Sequence, residues 1–180
     1  MERVTTLPRR PLTVDDLELM PDDGHRYELI DGTLIVSPSP SLRHQRVHSR
    51  LMKLLLLACP AELEVLSAPM DVVLADDTSV QPDILVVRSD LPGPKVTEPP
   101  VLAVEILSPS SRLIDLNLKR ARYERAGVPS YWIVDPDELR LMAWELSDAA
   151  YVEVADVSGD GIWQAARPFS VTVVPDRLAD

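Results

Sequence analysis

The sequence predicts an α/β protein whose mixed β-sheet is flanked by helices and accompanied by antiparallel hairpins. Short apolar runs bounded by Pro and Gly alternate with two longer segments of helical periodicity. The apolar run 101–107 is followed by one of these helical segments and then by a second apolar run, 131–134. A strand, a helix and a strand in this order form a right-handed crossover, which makes at least one pair of strands parallel.

The chain begins with a predicted short helix and a hairpin. Thr13 is followed by two acids and reads as a helix cap, and Pro21 ends this helix. Two β-rich runs, 26–30 and 33–37, are separated by Asp31-Gly32, a dipeptide typical of two-residue hairpin turns.

A Ser-Pro-Ser-Pro-Ser stretch leads into the longest predicted helix, 41–58. Apolar residues recur with helical spacing on one face and comprise Val47, Leu51, Leu54 and Leu55. Basic residues recur on another face and comprise Arg43, Arg46, Arg50 and Lys53.

The remainder of the chain is predicted to supply most of the strands. Extended runs lie at 64–67, 70–74, 82–87 and 101–107. A helix over 111–126 ends at Gly127, which is a common residue just past a helix C-terminus. Later strands, joined by turns, are predicted at 131–134, 139–146, 151–157 and 169–174.

Length and composition are those of a globular chain. The 180 residues are 46% hydrophobic and 26% charged, so we expect one domain over 1–180, with 1–12 as a loosely ordered N-terminal extension. The single cysteine excludes an internal disulfide framework. No phosphate-binding glycine loop, nucleophile elbow or paired-cysteine motif occurs. Without an apolar run of membrane-spanning length, or one behind the basic start, we expect a cytoplasmic location and no membrane partner.

Charge is distributed unevenly along the chain. The net charge of −11 argues against general affinity for nucleic acids, because such binding depends on neutralising phosphates. The segments 43–53 and 112–125 nevertheless hold nine of the eighteen basic residues and a local charge of +7. A nucleic-acid-binding surface on the first segment would comprise Arg43, His44, Arg46 and Arg50. Two solvated helix faces explain the same pattern.

Two carboxylates occur inside apolar strands. Asp83 shares a strand face with Val87, and Glu105 shares one with Leu107. An acid in such a strand is costly unless it is paired or binds a metal. Neighbouring strands lie about 4.8 Å apart, so two acids at matching heights could hold one hard divalent cation. The alternative is that each acid lies at a strand end and caps a loop or pairs with an arginine.

Several motifs occur together in one order. They are Tyr-Glu-Leu-Ile-Asp-Gly (27–32), Ser-Pro-Ser-Pro followed by His44, Gln-Pro-Asp-Ile (81–84), Val-Glu-Ile-Leu-Ser-Pro-Ser-Ser (104–111), Asp115 with Lys119 and Tyr123, and Gly-Val-Pro-Ser-Tyr-Trp-Ile-Val-Asp-Pro (127–136). From about Thr13 to Val174 the chain thus resembles the Uma-type putative restriction endonuclease family of the PD-(D/E)XK nuclease superfamily. The resemblance implies a restriction-endonuclease-like fold, hydrolysis of DNA with Mg²⁺ or substituting Mn²⁺, and, by analogy, a homodimer.

The resemblance also implies site residues. Asp83 and Glu105 match the two motif acids that bind the metal, and Glu28 matches a further acid that helps to hold it. The superfamily usually places a lysine two residues after the second acid, but this chain has Leu107 there. Lys119, in the following helix, matches the position of the family's displaced lysine. Its ammonium would orient water or offset charge on the phosphate.

The missing strand lysine and the acidic net charge also allow a second hypothesis. In it the chain is a catalytically degenerate nuclease-fold protein with a binding or regulatory role. The two hypotheses differ in where they place Lys119. A catalytic lysine should have its ammonium within about 6 Å of the Asp83 or Glu105 carboxylate oxygens, whereas a surface ion pair with Asp115 would leave it in solvent.

Overall fold

The computed structural model describes residues 10–21 and 23–179. The helices are α1 (Val14–Leu17), α2 (Leu42–Ala58), α3 (Arg120–Ala126) and α4 (Asp176–Ala179). The strands are β1 (Arg26–Ile30), β2 (Thr33–Ser37), β3 (Leu63–Ser67), β4 (Val72–Ala75), β5 (Thr78–Val80), β6 (Ile84–Arg88), β7 (Leu102–Ile106), β8 (Ser130–Asp135), β9 (Arg140–Ser147), β10 (Ala150–Ser158), β11 (Trp163–Ala165) and β12 (Val171–Val173). No helix in these ranges is long and apolar enough to cross a membrane.

The largest sheet has six strands in the order β10-β9-β8-β7-β6-β3. Strands β7 and β8 are parallel and are joined by a helical crossover, while the other neighbours in this sheet pair antiparallel. The predicted mixed sheet and its parallel pair are therefore confirmed.

A second sheet is built around the predicted N-terminal hairpin. Its order is β2-β1-β5-β4, with all neighbours antiparallel. Asp31 and Gly32 connect β1 to β2 with φ of 50° and 72°, the left-handed backbone that two-residue hairpin turns require. Leu12 is buried and its N–H donates to the carbonyl of Gly32. Of the expected N-terminal extension 1–12, residues 1–9 lie outside the described residues.

Apolar side chains fill both faces of the six-stranded sheet. On one face, Val47 and Leu51 of α2 pack in a cluster that includes Trp132. On the other face, Ile30 of the hairpin packs in a cluster that includes Tyr123 of α3. The sheet is thus covered by α2 on one side, and by α3 and the smaller sheet on the other.

The crossover helix differs from the regular α-helix predicted over 111–126. A π-helical segment, Ile114–Lys119, continues directly into α3, which ends at Gly127 with φ of 82°. The buried side chains of the π-helical segment are the charged Asp115 and Lys119, while Ile114, Leu116 and Leu118 are partly buried and pack against the apolar core. Such segments are rare and occur mostly at functional sites.

Candidate active site

The predicted acids meet beside a cavity of about 700 Å³. Asp83 lies one residue before β6, and Glu105 lies near the end of β7. These strands pair with Ile84 opposite Val104, and continuing this register by one residue places Asp83 opposite Glu105. Asp83 is 5% exposed and Glu105 is 2% exposed. The two acids therefore lie at matching heights on neighbouring strands, which is the arrangement in which two acids could hold one divalent cation.

The ammonium of Lys119 lies among three carboxylates. Its Nζ is 2.9 Å from Oε1 of Glu28, 3.1 Å from Oε1 of Glu105 and 3.4 Å from Oδ1 of Asp115. Its side chain is only 3% exposed. The ammonium therefore meets the distance expected of a catalytic lysine, and the pair with Asp115 is buried. Together with Asp83, these three acids form the carboxylate cluster.

Burial of its ammonium would by itself lower the pKa of Lys119. The negative charges of the surrounding carboxylates outweigh this effect and raise the pKa above its ordinary value. Lys119 is therefore a permanent cation at the centre of the site.

Asp83 is held by partners from three elements. Its Oδ1 accepts a hydrogen bond from Arg26 at 3.1 Å, and its Oδ2 accepts one from the N–H of Ile106 at 2.8 Å. The same Oδ2 is 3.2 Å from Nε2 of His44, while Nε2 of His48 is 3.1 Å from the backbone oxygen of Asp83. Burial alone would raise the pKa of Asp83, but the contacts with His44 and Arg26 and the backbone N–H hold it well below its usual range.

Glu105 contacts both Lys119 and Tyr123 through one carboxylate oxygen. Its Oε1 accepts hydrogen bonds from Lys119 at 3.1 Å and from the hydroxyl of Tyr123 at 3.0 Å, so neither contact uses Oε2. Complete burial, together with repulsion from the other acids of the cluster, outweighs Lys119 and raises the pKa of Glu105 above its ordinary value. Burial likewise raises the pKa of Tyr123, which remains a donor.

Glu28 and Arg26 reach the site from the hairpin. Arg26, Glu28 and Ile30 occupy every second position of β1, so their side chains point to the same face of the strand. Ile30 is buried. Glu28 is 2% exposed and its Oε1 accepts a 2.7 Å hydrogen bond from the N–H of Gln81. Nη2 of Arg26 lies 3.5 Å from Oε1 of Glu28, and the side chain of Arg26 is 25% exposed. The hairpin thus supplies a buried acid, Glu28, and a partly buried cation, Arg26.

The residues predicted to bind nucleic acid separate into two groups. His44 is buried, lines the cavity and contacts Asp83. Arg43, Arg46 and Arg50 do not line the cavity. Arg43 pairs with Asp137 at 3.2 Å, and Arg50 donates to the carbonyl of Leu178 at 3.0 Å.

Three functional contacts were absent from the sequence prediction. Arg26 bridges two acids, His44 contacts Asp83, and Tyr123 donates to Glu105. Two spacings in the sequence indicate these contacts. His44 lies three residues before Val47, on the apolar face of α2, and Arg26 lies two residues before Glu28, on the same face of β1.

The donor set of the site fits a hard divalent cation. Within 10–21 and 23–179, no three His, Cys, Asp or Glu side chains already have the geometry of a metal site. The Lys119 ammonium lies among three of the acids. Two buried oxygens, Oδ1 of Asp115 and Oε1 of Gln81, accept no hydrogen bond from the described residues, and both side chains line the cavity. Four carboxylates against the two permanent cations, Arg26 and Lys119, leave a charge that one divalent cation would neutralise.

Comparisons with known proteins agree with this architecture. The sequence matches the Uma2 family model, described as a putative restriction endonuclease, over residues 14–174. The crystal structure of a putative nuclease belonging to DUF820 from Anabaena variabilis superposes with a TM-score of 0.76, covering 93% of this chain and 97% of that chain. The two sequences are 19% identical, so this similarity supports the fold alone. No curated protein shows significant sequence similarity.

Proposed function

This chain belongs to the Uma2 family of putative restriction endonucleases, and from that membership we propose that it is a metal-dependent endonuclease that hydrolyses DNA phosphodiester bonds. The observation that supports this activity best is the enclosure of Lys119 by carboxylates beside a cavity that Asp83 and Glu105 also line. The proposal further includes a cytoplasmic location, a homodimer and one domain over 1–180, of which the family match covers nearly the whole length.

The proposed chemistry divides among the residues of the site. Asp83, Glu105 and Glu28 would hold Mg²⁺, or Mn²⁺ in its place. A bound cation of this kind polarises the scissile phosphate and lowers the pKa of an attacking water. Lys119 offsets the negative charge that develops on the phosphate oxygens. Tyr123 fixes the orientation of Glu105 through its hydroxyl.

The variant Asp83→Asn tests the proposal in two measurements, nicking of supercoiled plasmid and thermal melting. The wild-type protein should nick plasmid only when Mg²⁺ or Mn²⁺ is added, and millimolar Mn²⁺ should raise its melting temperature by mass action. The variant should lose both responses. It should also be less stable without metal, because the lowered pKa of Asp83 means that the fold stabilises its ionised form above the unfolded pKa of about 3.9.

Asp135→Asn is the matched control, since Asp135 is buried at the C-terminal end of β8 and does not line the cavity. The substitution removes one of the two carboxylate partners of Arg112, so stability falls, but nicking and the Mn²⁺ response should remain. A wild-type protein that neither nicks nor responds to divalent cations contradicts the proposal.

A second candidate function is a non-catalytic binding or regulatory role on the same scaffold. The observation that favours it is that Asp83 and Glu105 each already contact a cationic side chain, Arg26 and Lys119 respectively. Under this alternative, plasmid should remain intact over the whole range of Mn²⁺ concentrations that changes the melting temperature.

We also propose that the basic face of α2 contacts DNA outside the cavity. Arg43→Ser combined with Arg46→Ser should weaken association with a DNA duplex and reduce the salt slope, because each lost phosphate contact removes about 0.9 from it. Both side chains are exposed, so the fold should be retained. Fluorescence anisotropy at several salt concentrations, in an Asp83→Asn background that prevents cleavage, measures the change.

Arg140→Ser is the control for that experiment, because Arg140 lies outside α2, on β9, and pairs with Asp156 of β10. Its salt slope should equal that of the background protein. If the background protein and both variants have equal salt slopes, the basic face of α2 does not contact DNA and is an ordinary solvated surface. Arg50 is kept in place because its contact with Leu178 attaches α4 to α2.

A further inference from the structure

Arg26 is the cation of the site that is free to change partners. Among the described residues that line the cavity, permanent positive charges occur only on Arg26 and Lys119. Lys119 is 3% exposed and enclosed by three acids, whereas the side chain of Arg26 is 25% exposed. A side chain that is partly open to the cavity can reach a ligand there without leaving the fold.

The hydrogen-bonding capacity of Arg26 is mostly unused. A guanidinium has five N–H donors in a planar fork. Arg26 makes one hydrogen bond, from Nη1 to Asp83 at 3.1 Å, and its Nη2 forms a longer ion pair with Glu28 at 3.5 Å. Its Nε is buried and has no hydrogen-bond partner among the described residues. An unsatisfied buried donor is costly, so this arrangement favours a further acceptor that presents several oxygens.

The two acids that hold Arg26, Asp83 and Glu28, are two of the three that the proposed function assigns to the divalent cation. A cation bound by Asp83 and Glu28 would take over the charge compensation that Arg26 provides. The guanidinium would then be repelled by the ion and attracted to an anion in the cavity. A phosphate ester presents two or more oxygens to a planar fork, and arginine binds such groups in a bidentate manner.

We infer that Arg26 is a phosphate-binding residue of this site, which holds Asp83 and Glu28 in the metal-free protein and binds the phosphate oxygens of the substrate once a divalent cation occupies the acids. This inference rests on the proposed function. It assigns to one side chain both competition with the metal and recognition of the phosphate, and it predicts opposite effects of one substitution on two ligands.

Arg26→Gln tests the inference by calorimetric titration with two probes. Mn²⁺ alone should bind about tenfold more tightly than to the wild-type protein, because a competing charge has been removed. Thymidine 5′-phosphate, a phosphate ester with no diester bond to cleave, should bind at least tenfold more weakly at saturating Mn²⁺. Arg26→Lys retains the charge and should leave Mn²⁺ affinity close to wild type, while restoring phosphate binding only in part.

Arg112→Gln is the matched control, since Arg112 also bridges two carboxylates, Asp135 and Glu138, but does not line the cavity. Both affinities should be those of the wild-type protein. The inference is overturned if Arg26→Gln leaves either affinity within twofold of wild type, or if the wild-type protein does not bind thymidine 5′-phosphate. A protein that binds it through Arg26 and yet never nicks plasmid supports the inference and contradicts the proposed hydrolysis.

Discussion

Lys119→Met should lower the free energy of unfolding and strongly reduce plasmid cleavage. The ammonium compensates Glu28, Glu105 and Asp115 in a buried setting, and removing one partner of such a cluster costs about 3–5 kcal/mol. For a chain of this length that loss lowers the melting temperature by roughly 10 °C. At saturating Mn²⁺, plasmid cleavage should fall by about a hundredfold or more, or roughly 3 kcal/mol of transition-state stabilisation.

The cost of Lys119→Met should depend on pH and on metal. Without the ammonium, the pKa values of Glu105 and Asp115, already raised by burial, rise further. As pH falls through these values the acids take up protons, so the difference in melting temperature from wild type should narrow as the pH is lowered from neutral. Mn²⁺ should also stabilise the variant more than wild type. Calorimetric melts at several pH values measure both effects.

Lys95→Met is the control, because Lys95 pairs with Glu18 near the surface and lies outside the cavity. Its effect should be below about 1 kcal/mol at every pH. If Lys119→Met melts like the control, the enclosed ammonium does not stabilise the fold. If it cleaves plasmid like wild type, Lys119 has no catalytic role.

Glu105→Gln should have the opposite effect on stability and a similar effect on cleavage. The substitution removes one of four buried negative charges while two acids still contact Lys119, so we expect the metal-free protein to gain about 1 kcal/mol at neutral pH. Cleavage should fall by about a thousandfold, or ~4 kcal/mol, because an amide is a poor ligand for the cation and cannot replace the motif acid.

The pH dependence of Glu105→Gln follows from the raised pKa of Glu105. A carboxyl group whose pKa is raised by folding contributes fully to the free energy of unfolding below its unfolded pKa of about 4.3. This contribution is lost as pH rises through the pKa of the folded state. The variant has no such loss, so its advantage in melting temperature should grow from about pH 4.3 upwards. Glu145→Gln, at an acid of β9 outside the cavity, is the control for cleavage and should retain wild-type activity. A uniform difference at all pH values would mean that Glu105 is ionised as readily as an exposed acid.

Much of the fold followed from local sequence pattern. The hairpin turn at Asp31-Gly32, the helix capped by Ser41 and the crossover between β7 and β8 each depend on turn chemistry or periodicity within a short window. Strands β5 and β11 and helix α4 were not predicted, since three or four residues are too few to show a period. Their positions are fixed by pairing and packing with distant parts of the chain.

The site was predictable only where an unusual residue broke a pattern. Asp83 and Glu105 interrupted apolar strands, so their burial signalled a special role. The π-helical geometry that places Lys119 inward has no comparable signature, and the partners of Arg26 depend on how the smaller sheet packs against the larger one. The sequence therefore indicated Asp83, Glu105 and Lys119, but not that Arg26 lies against the acids.

The carboxylate cluster also has a consequence for folding. Its members come from β1, the start of β6, β7 and the π-helical segment, and Glu28 of β1 is far in the chain from the others, so the cluster is complete only after long-range strand pairing. Such contacts form late, because the entropy of closing long loops must be overcome first. A nascent or partly unfolded chain therefore lacks the assembled site, and any nuclease activity would be confined to molecules that have completed folding.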